Sequence, residues 1–132
     1  MKQEKSCGCI VFDGNKILLV KQTQGHWGIP KGHVEENETE HETAIREVKE
    51  ETNIDVEIEG EGRYTENYVT DKGVQKEVVY FIARKVGGSV AAQEAEIKEI
   101  EWLNPREALE RVTYDDTRSL LKKALKDKNI IV

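Results

Sequence analysis

Glu47, Glu50 and Glu51 stand at i, i+3 and i+4 within Glu38 to Thr52, a proline-free stretch of good helix formers. On a helix turning by about 100° per residue, the three carboxylates share one arc of about 100°. Like charges so placed repel by roughly a few tenths of a kcal/mol, a local cost that a divalent cation removes. Hard carboxylate oxygens are the ligands that Mg²⁺ or Mn²⁺ prefers, and such ions commonly carry substrate phosphates as their remaining ligands. Arg46, beside Glu50 on the same helix, can hold these carboxylates through a bidentate contact.

Such a set needs a helix that borders the core and a loop that brings a substrate to it. Ala44, Ile45, Val48 and Thr52 fall on the arc next to the glutamates, so one stripe can be buried with the acidic stripe at its margin. Ahead of the helix runs His26-Trp27-Gly28-Ile29-Pro30-Lys31-Gly32, in which Pro30 fixes the backbone and Gly32 allows close approach. The same glutamate spacing also describes a solvated, salt-bridged surface helix, and in a chain that is 35% charged the three residues alone favour that reading.

The wider pattern decides between the two. It runs Gly32, five residues, Glu38, seven residues, then Arg46-Glu47-Val48-x-Glu50-Glu51-x-x-Ile54, and it resembles the Nudix box at every defining position but one. The departure is Asn53, where the family has glycine. At a helix C-terminus that glycine supplies a left-handed backbone conformation, which Asn tolerates next best.

A chain of 132 residues is one domain, residues 1–132, long enough for a real core. No stretch approaches a membrane span, and Met1 to Lys5 lead straight into a strand pattern with no apolar signal region, so the expectation is a cytoplasmic protein. Cys7 and Cys9 share one face of a strand, poor geometry for a disulfide, and read as small buried hydrophobes. A net charge of −6 argues against a nonspecific nucleic-acid surface, and an anionic substrate then needs metal ions or a local basic patch.

The expected elements follow from periodicity. Ser6 to Phe12 and Lys16 to Val20 are strands joined by Asp13-Gly14-Asn15, a hairpin signal. After the helix, Ile54 to Tyr64 alternates as a half-buried strand. A hairpin around Asp71-Lys72-Gly73 leads to a central strand, Gln75 to Arg84, and Gly87-Gly88 ends it. Ser89 to Glu99 reads as a loop, Glu101 to Leu103 as a short strand. Asn104-Pro105 opens a helix through Arg111, and Asp115-Asp116 caps a last helix with Leu120, Leu121, Ala124 and Leu125 buried. The fold class is α/β (α+β), a mixed β-sheet sandwiched between helices.

Beyond the box, the chain is similar to the asymmetrical bis(5′-nucleosyl)-tetraphosphatase branch of the Nudix hydrolases. The matching pieces are His26-Trp27-x-x-Pro30-Lys31-Gly32-His33-Val34-Glu35, Lys76-x-Val78-Val79-Tyr80, Glu96 ahead of Trp102-Leu103, and Tyr114 before the final helix. That resemblance implies that Glu47, Glu50 and Glu51 bind Mg²⁺ or Mn²⁺ with help from the Gly32 carbonyl. It implies that Glu96 brings a further carboxylate to the metals or the attacking water, making Glu50, Glu51 and Glu96, with Arg46 beside them, the catalytic set. His26, Lys31 and Lys76 would contact the phosphate chain. Tyr80 and Tyr114 are candidates to stack on an adenine, although Tyr80 sits in an apolar run and reads equally as core. His33 and His41 read as structural.

The implied activity is hydrolysis of diadenosine tetraphosphate to ATP and AMP, which requires charge neutralisation on the phosphates and an activated water. The same chemistry could serve nucleoside triphosphates, capped RNA or inositol pyrophosphates, although the acidic charge weighs against the last two. A nucleotide-binding regulator without turnover is the reading from another class, and the intact carboxylate set argues against it. The expected partner is a small nucleotide, with the chain a monomer or homodimer.

Overall fold

The computed structural model describes residues 2–93 and 95–132. In chain order the elements are β1 (Gln3–Asp13), β2 (Lys16–Gln22), β3 (Trp27–Gly28), β4 (Lys31–His33), α1 (Glu40–Thr52), β5 (Ile54–Ile58), β6 (Tyr64–Val69), β7 (Gln75–Gly88), β8 (Ile97–Leu103), α2 (Pro105–Arg111) and α3 (Asp115–Asp127). None of these helices is long and apolar enough to cross a membrane.

The strands form one mixed sheet with central order β3-β2-β1-β7-β5. β1 and β7 run parallel over ten residue pairs, from Gln3 opposite Gln75 to Phe12 opposite Arg84. Every other pairing is antiparallel: β4 on the first half of β1, β6 on the first half of β7, β8 on β2. Successive side chains of a strand point to opposite faces, and both faces are covered, so the middle of the sheet reads as continuous apolar runs. Cys7, Cys9, Val11, Val79, Phe81 and Ala83 pack with Ala44 and Val48 of α1. Ile10, Phe12, Val78, Tyr80 and Ile82 pack with Ala108 of α2 and Leu121, Ala124 and Leu125 of α3. Both cysteines are free and buried.

Several boundaries differ from the expectation for physical reasons. α1 starts at Glu40 because Thr39 caps it: the Glu42 N–H donates to Thr39 Oγ1 at 3.1 Å, and the Thr39 N–H donates to Glu42 Oε1 at 2.9 Å, a reciprocal capping box. Glu38 lies outside the helix. Ile54 to Tyr64 is two strands rather than one, because Gly60, at φ 70°, turns the chain between β5 and β6. β7 extends to Gly88, four residues past Arg84, and β8 begins at Ile97, within the stretch expected to be a loop. The cap of α3 is Tyr114, which makes no side-chain cap bond, and Asp115 and Asp116 lie in the first turn, where their charges favour the helix dipole.

Candidate active site

α1 lies across the sheet with its acidic edge against β4, and Gly32 leaves room for the Glu47 carboxylate there. A Cβ on Gly32 would fall on the Glu47 carboxylate, so only glycine lets that carboxylate lie on the strand. Around this contact opens a cleft of about 310 Å³. Glu47, Glu50 and Glu51 line it from α1, Lys31 and Gly32 from β4, His26 from the loop before β3, and Glu96 from the segment before β8. Residues expected to act together, scattered from position 26 to 96, are thus neighbours.

The acidic edge is held by Arg46. Its Nε and Nη2 donate to Glu38 Oε2 and Oε1 at 2.6 and 2.9 Å, and its Nη1 donates to Glu47 Oε1 at 2.8 Å and to Glu50 Oε2 at 3.1 Å. The fork on Glu38 has the fixed geometry that makes arginine, unlike lysine, an orienting cation. Glu38 is itself fastened, accepting from the Glu35 N–H at 2.9 Å and Thr43 Oγ1 at 2.8 Å. The Arg46 guanidinium, more than any other neighbour, holds the Glu38 carboxyl down at about 2. Arg46 touches the carboxylates Glu38, Glu47 and Glu50 at once.

Glu51 differs from its neighbours. It is 2% exposed, and burial, reinforced by the charge of Glu47, pushes its carboxyl up to about 8. Burial also raises Glu47. Lys31 and His26 are shifted the other way, each lowered chiefly by burial. Glu51 Oε1 is buried with no hydrogen-bond partner among the described residues, a costly state for a carboxylate oxygen that a cation would relieve. Among the described residues no three acidic or imidazole groups already surround one point at ligating distance; Glu47 and Glu50 each turn one oxygen to Arg46. The orphaned oxygen and the Gly32 cradle, on an all-oxygen donor set, fit a hard divalent ion.

Three expected residues lie elsewhere. Tyr80 is 1% exposed and packs in the core beneath α3. It stands on the central strand, opposite Gly8 of β1 and Tyr64 of β6, and cannot stack on a base, which corrects the expectation for it. Lys76 lines a neighbouring cavity with Tyr68 and Asn67, its Nζ 3.6 Å from Glu4 Oε2. Tyr114 is 56% exposed at the start of α3, its ring 5.4 Å from that of His26. Of the two histidines expected to be structural, His41 packs edge-on against Phe81, ring centroids 4.3 Å apart, whereas His33 lines the acidic cleft, its Nε2 3.6 Å from Glu4 Oε2 and its carbonyl accepting from Arg46 Nη2 at 3.0 Å.

Sequence reasoning passed over the anchoring part of Glu38, the cleft residues Gln22 and Gln93, and Tyr68. Tyr68 is 42% exposed, and its phenol is raised chiefly by burial and then by the Glu66 carboxylate. Its signal was available: counting back across the Asp71–Gly73 turn sets Tyr68 opposite Lys76. Glu38 was marked by its place in the box pattern, but its bond to Arg46 was not, because it spans a cap rather than a helical turn.

A family model described as the NUDIX domain matches residues 2–124, and the chain belongs to the Nudix hydrolase family. It is 32% identical over 135 residues to the asymmetrical bis(5′-nucleosyl)-tetraphosphatase of Rattus norvegicus, covering 89% of this chain and 90% of that protein. It is 40% identical over 100 residues to a Mycobacterium tuberculosis protein named as a mutator, MutT4; this covers 74% of the chain but only 40% of the relative's length. A crystal structure of a Caenorhabditis elegans Ap4A hydrolase binary complex superposes with a TM-score of 0.84 at 29% identity, covering 96% of this chain and 98% of that one.

Proposed function

We propose that the protein is a Mg²⁺- or Mn²⁺-dependent pyrophosphohydrolase that splits diadenosine tetraphosphate asymmetrically into ATP and AMP. The observation that carries this reading is the single cleft lined by Glu47, Glu50, Glu51, Gly32, Lys31, His26 and Glu96. The near full-length likeness to proteins named as asymmetrical tetraphosphatases supports the choice of substrate.

A bound divalent ion would neutralise phosphate oxygens and lower the pKa of a coordinated water. Glu47, Glu50 and Glu51, with the Gly32 carbonyl, are the residues that would hold it. Arg46 and Glu38 keep Glu47 and Glu50 in place, so that little reorganisation is needed as substrate enters. Lys31, a point charge suited to phosphate oxygens, lines the cleft with the three glutamates and would contact the phosphate chain. Water attacks phosphorus, the bridging oxygen leaves with its electron pair, and a cleft glutamate, Glu96 among the candidates, accepts the water's proton. Tyr114, exposed beside the His26 ring, presents aromatic surface to a nucleobase.

The test is kcat/KM with Mg²⁺ for diadenosine tetraphosphate, ATP, an 8-oxo-purine nucleoside triphosphate and a capped RNA. The dinucleotide should be preferred. A nucleoside triphosphate turned over much faster would remove the dinucleotide assignment and leave a pyrophosphohydrolase of another substrate.

A further inference from the structure

Asn53 closes α1 at φ 64° and ψ 19°, its backbone N–H donating to the Lys49 carbonyl at 2.9 Å. A glycine there would make the same turn at no steric cost. The side chain does what glycine cannot, because Nδ2 donates to the Ser89 carbonyl at 3.0 Å. Ser89 opens the segment joining β7 to β8. Two further bonds fasten that segment to the same helix end: Ala91 N–H to the Thr52 carbonyl at 3.0 Å, and Gln93 N–H to the Glu51 carbonyl at 3.2 Å. The last carbonyls of a helix have no partner within it, and here the segment supplies their donors. Gly88, at φ 83°, where a Cβ would overlap the Asn53 carbonyl, lets the chain leave β7 hard against the helix.

The far end of the segment is equally fixed. Glu96 and Ile97 both donate their N–H to the Gln93 carbonyl, at 3.0 and 2.8 Å, and Thr23 N–H donates to the Glu96 carbonyl at 3.0 Å. Between these ties, Gln93 and Glu96 enter the cleft beside Glu51. We propose that Asn53 is a positioning residue: its amide anchors the β7–β8 segment to the turn of α1 that carries Glu50 and Glu51, and so sets where Glu96 stands relative to them. This rests on the hydrolase reading above. The one departure from the family box thereby has a use that the family glycine cannot provide.

Two variants test it. Asn53→Gly keeps the left-handed cap and removes the amide; Asn53→Asp keeps the size but offers the Ser89 carbonyl no donor. Both should lower kcat roughly tenfold, the scale of small misplacements at a reacting centre, with KM unchanged and the melting temperature little moved. Amide exchange at Ala91 and Gln93 should quicken in both. In a Glu96→Gln background, Asn53→Gly should cost nothing further, since the amide acts through that carboxylate. Unchanged kcat in both variants, or an equal loss with and without Glu96, overturns the proposal even if amide exchange quickens. A wild-type chain that hydrolyses no nucleoside polyphosphate defeats the hydrolase reading first, and this inference with it.

Discussion

Glu51 carries the largest electrostatic cost in the cleft, and its pH dependence follows from the sign of its shift. The folded carboxyl titrates near 8 against an ordinary 4.5, so the folded state holds the proton more tightly than the unfolded chain. Stability of the metal-free protein should therefore decline as pH rises from about 4.5 to about 8 and level off above, by up to a few kcal/mol at about 1.4 kcal/mol per unit. Glu51→Gln should flatten that decline in thermal melts and abolish turnover, because charge is lost at nearly constant volume. Equal slopes for the two proteins would contradict the buried-carboxylate account. Arg46→Lys addresses the shell behind the carboxylates. It keeps the charge but loses the fork on Glu38, and should reduce kcat or metal affinity roughly 10- to 100-fold, as outer-shell changes do; wild-type kinetics and metal titration would show the fork to be dispensable.

At the scale of elements, α1 is where local chemistry and site geometry coincide. Thr39→Ala removes the Oγ1 acceptor of the capping box and leaves the backbone N–H bond to Glu42 in place; it should cost about 1 kcal/mol in denaturant unfolding, with little change in KM because the cap is two turns from Glu47. The helix, its acidic edge and its left-handed end at Asn53 were legible in the sequence, since spacing along one helix fixes which side chains are neighbours. The strands were legible as strands but not as partners. Within the apolar run Val78 to Ala83 nothing told Tyr80, which is core, from a tyrosine that reaches a cavity, as Tyr68 on the neighbouring strand does. Burial on both faces erases the alternation that would have told them apart. The start of β8 was missed for a related reason: Ile97 and Ile100 are its only aliphatic residues before Glu101, and its pairing with β2 is irregular at Lys21 and Gln22.

At the scale of the molecule, the parallel pairing of β1 with β7 carries the arrangement. It brings β4, β6 and both helical layers to one sheet and gathers Lys31, Glu51 and Glu96 around one cleft. With a net charge of −6, a polyanion would have to be drawn in by the cleft's own cations and by any divalent ion it holds. Tyr114→Ala should lose roughly 1–3 kcal/mol of base stacking, read mainly in KM because the base is remote from the reacting phosphorus. Tyr80→Phe should leave KM unchanged, and a raised KM there would restore Tyr80 to the site. The most direct measurement is the identity of the products from diadenosine tetraphosphate and Mg²⁺, resolved by chromatography at partial conversion. ATP and AMP in equal amounts, with neither formed by Glu51→Gln, is the result the account predicts; two ADP, or an intact substrate, would contradict it.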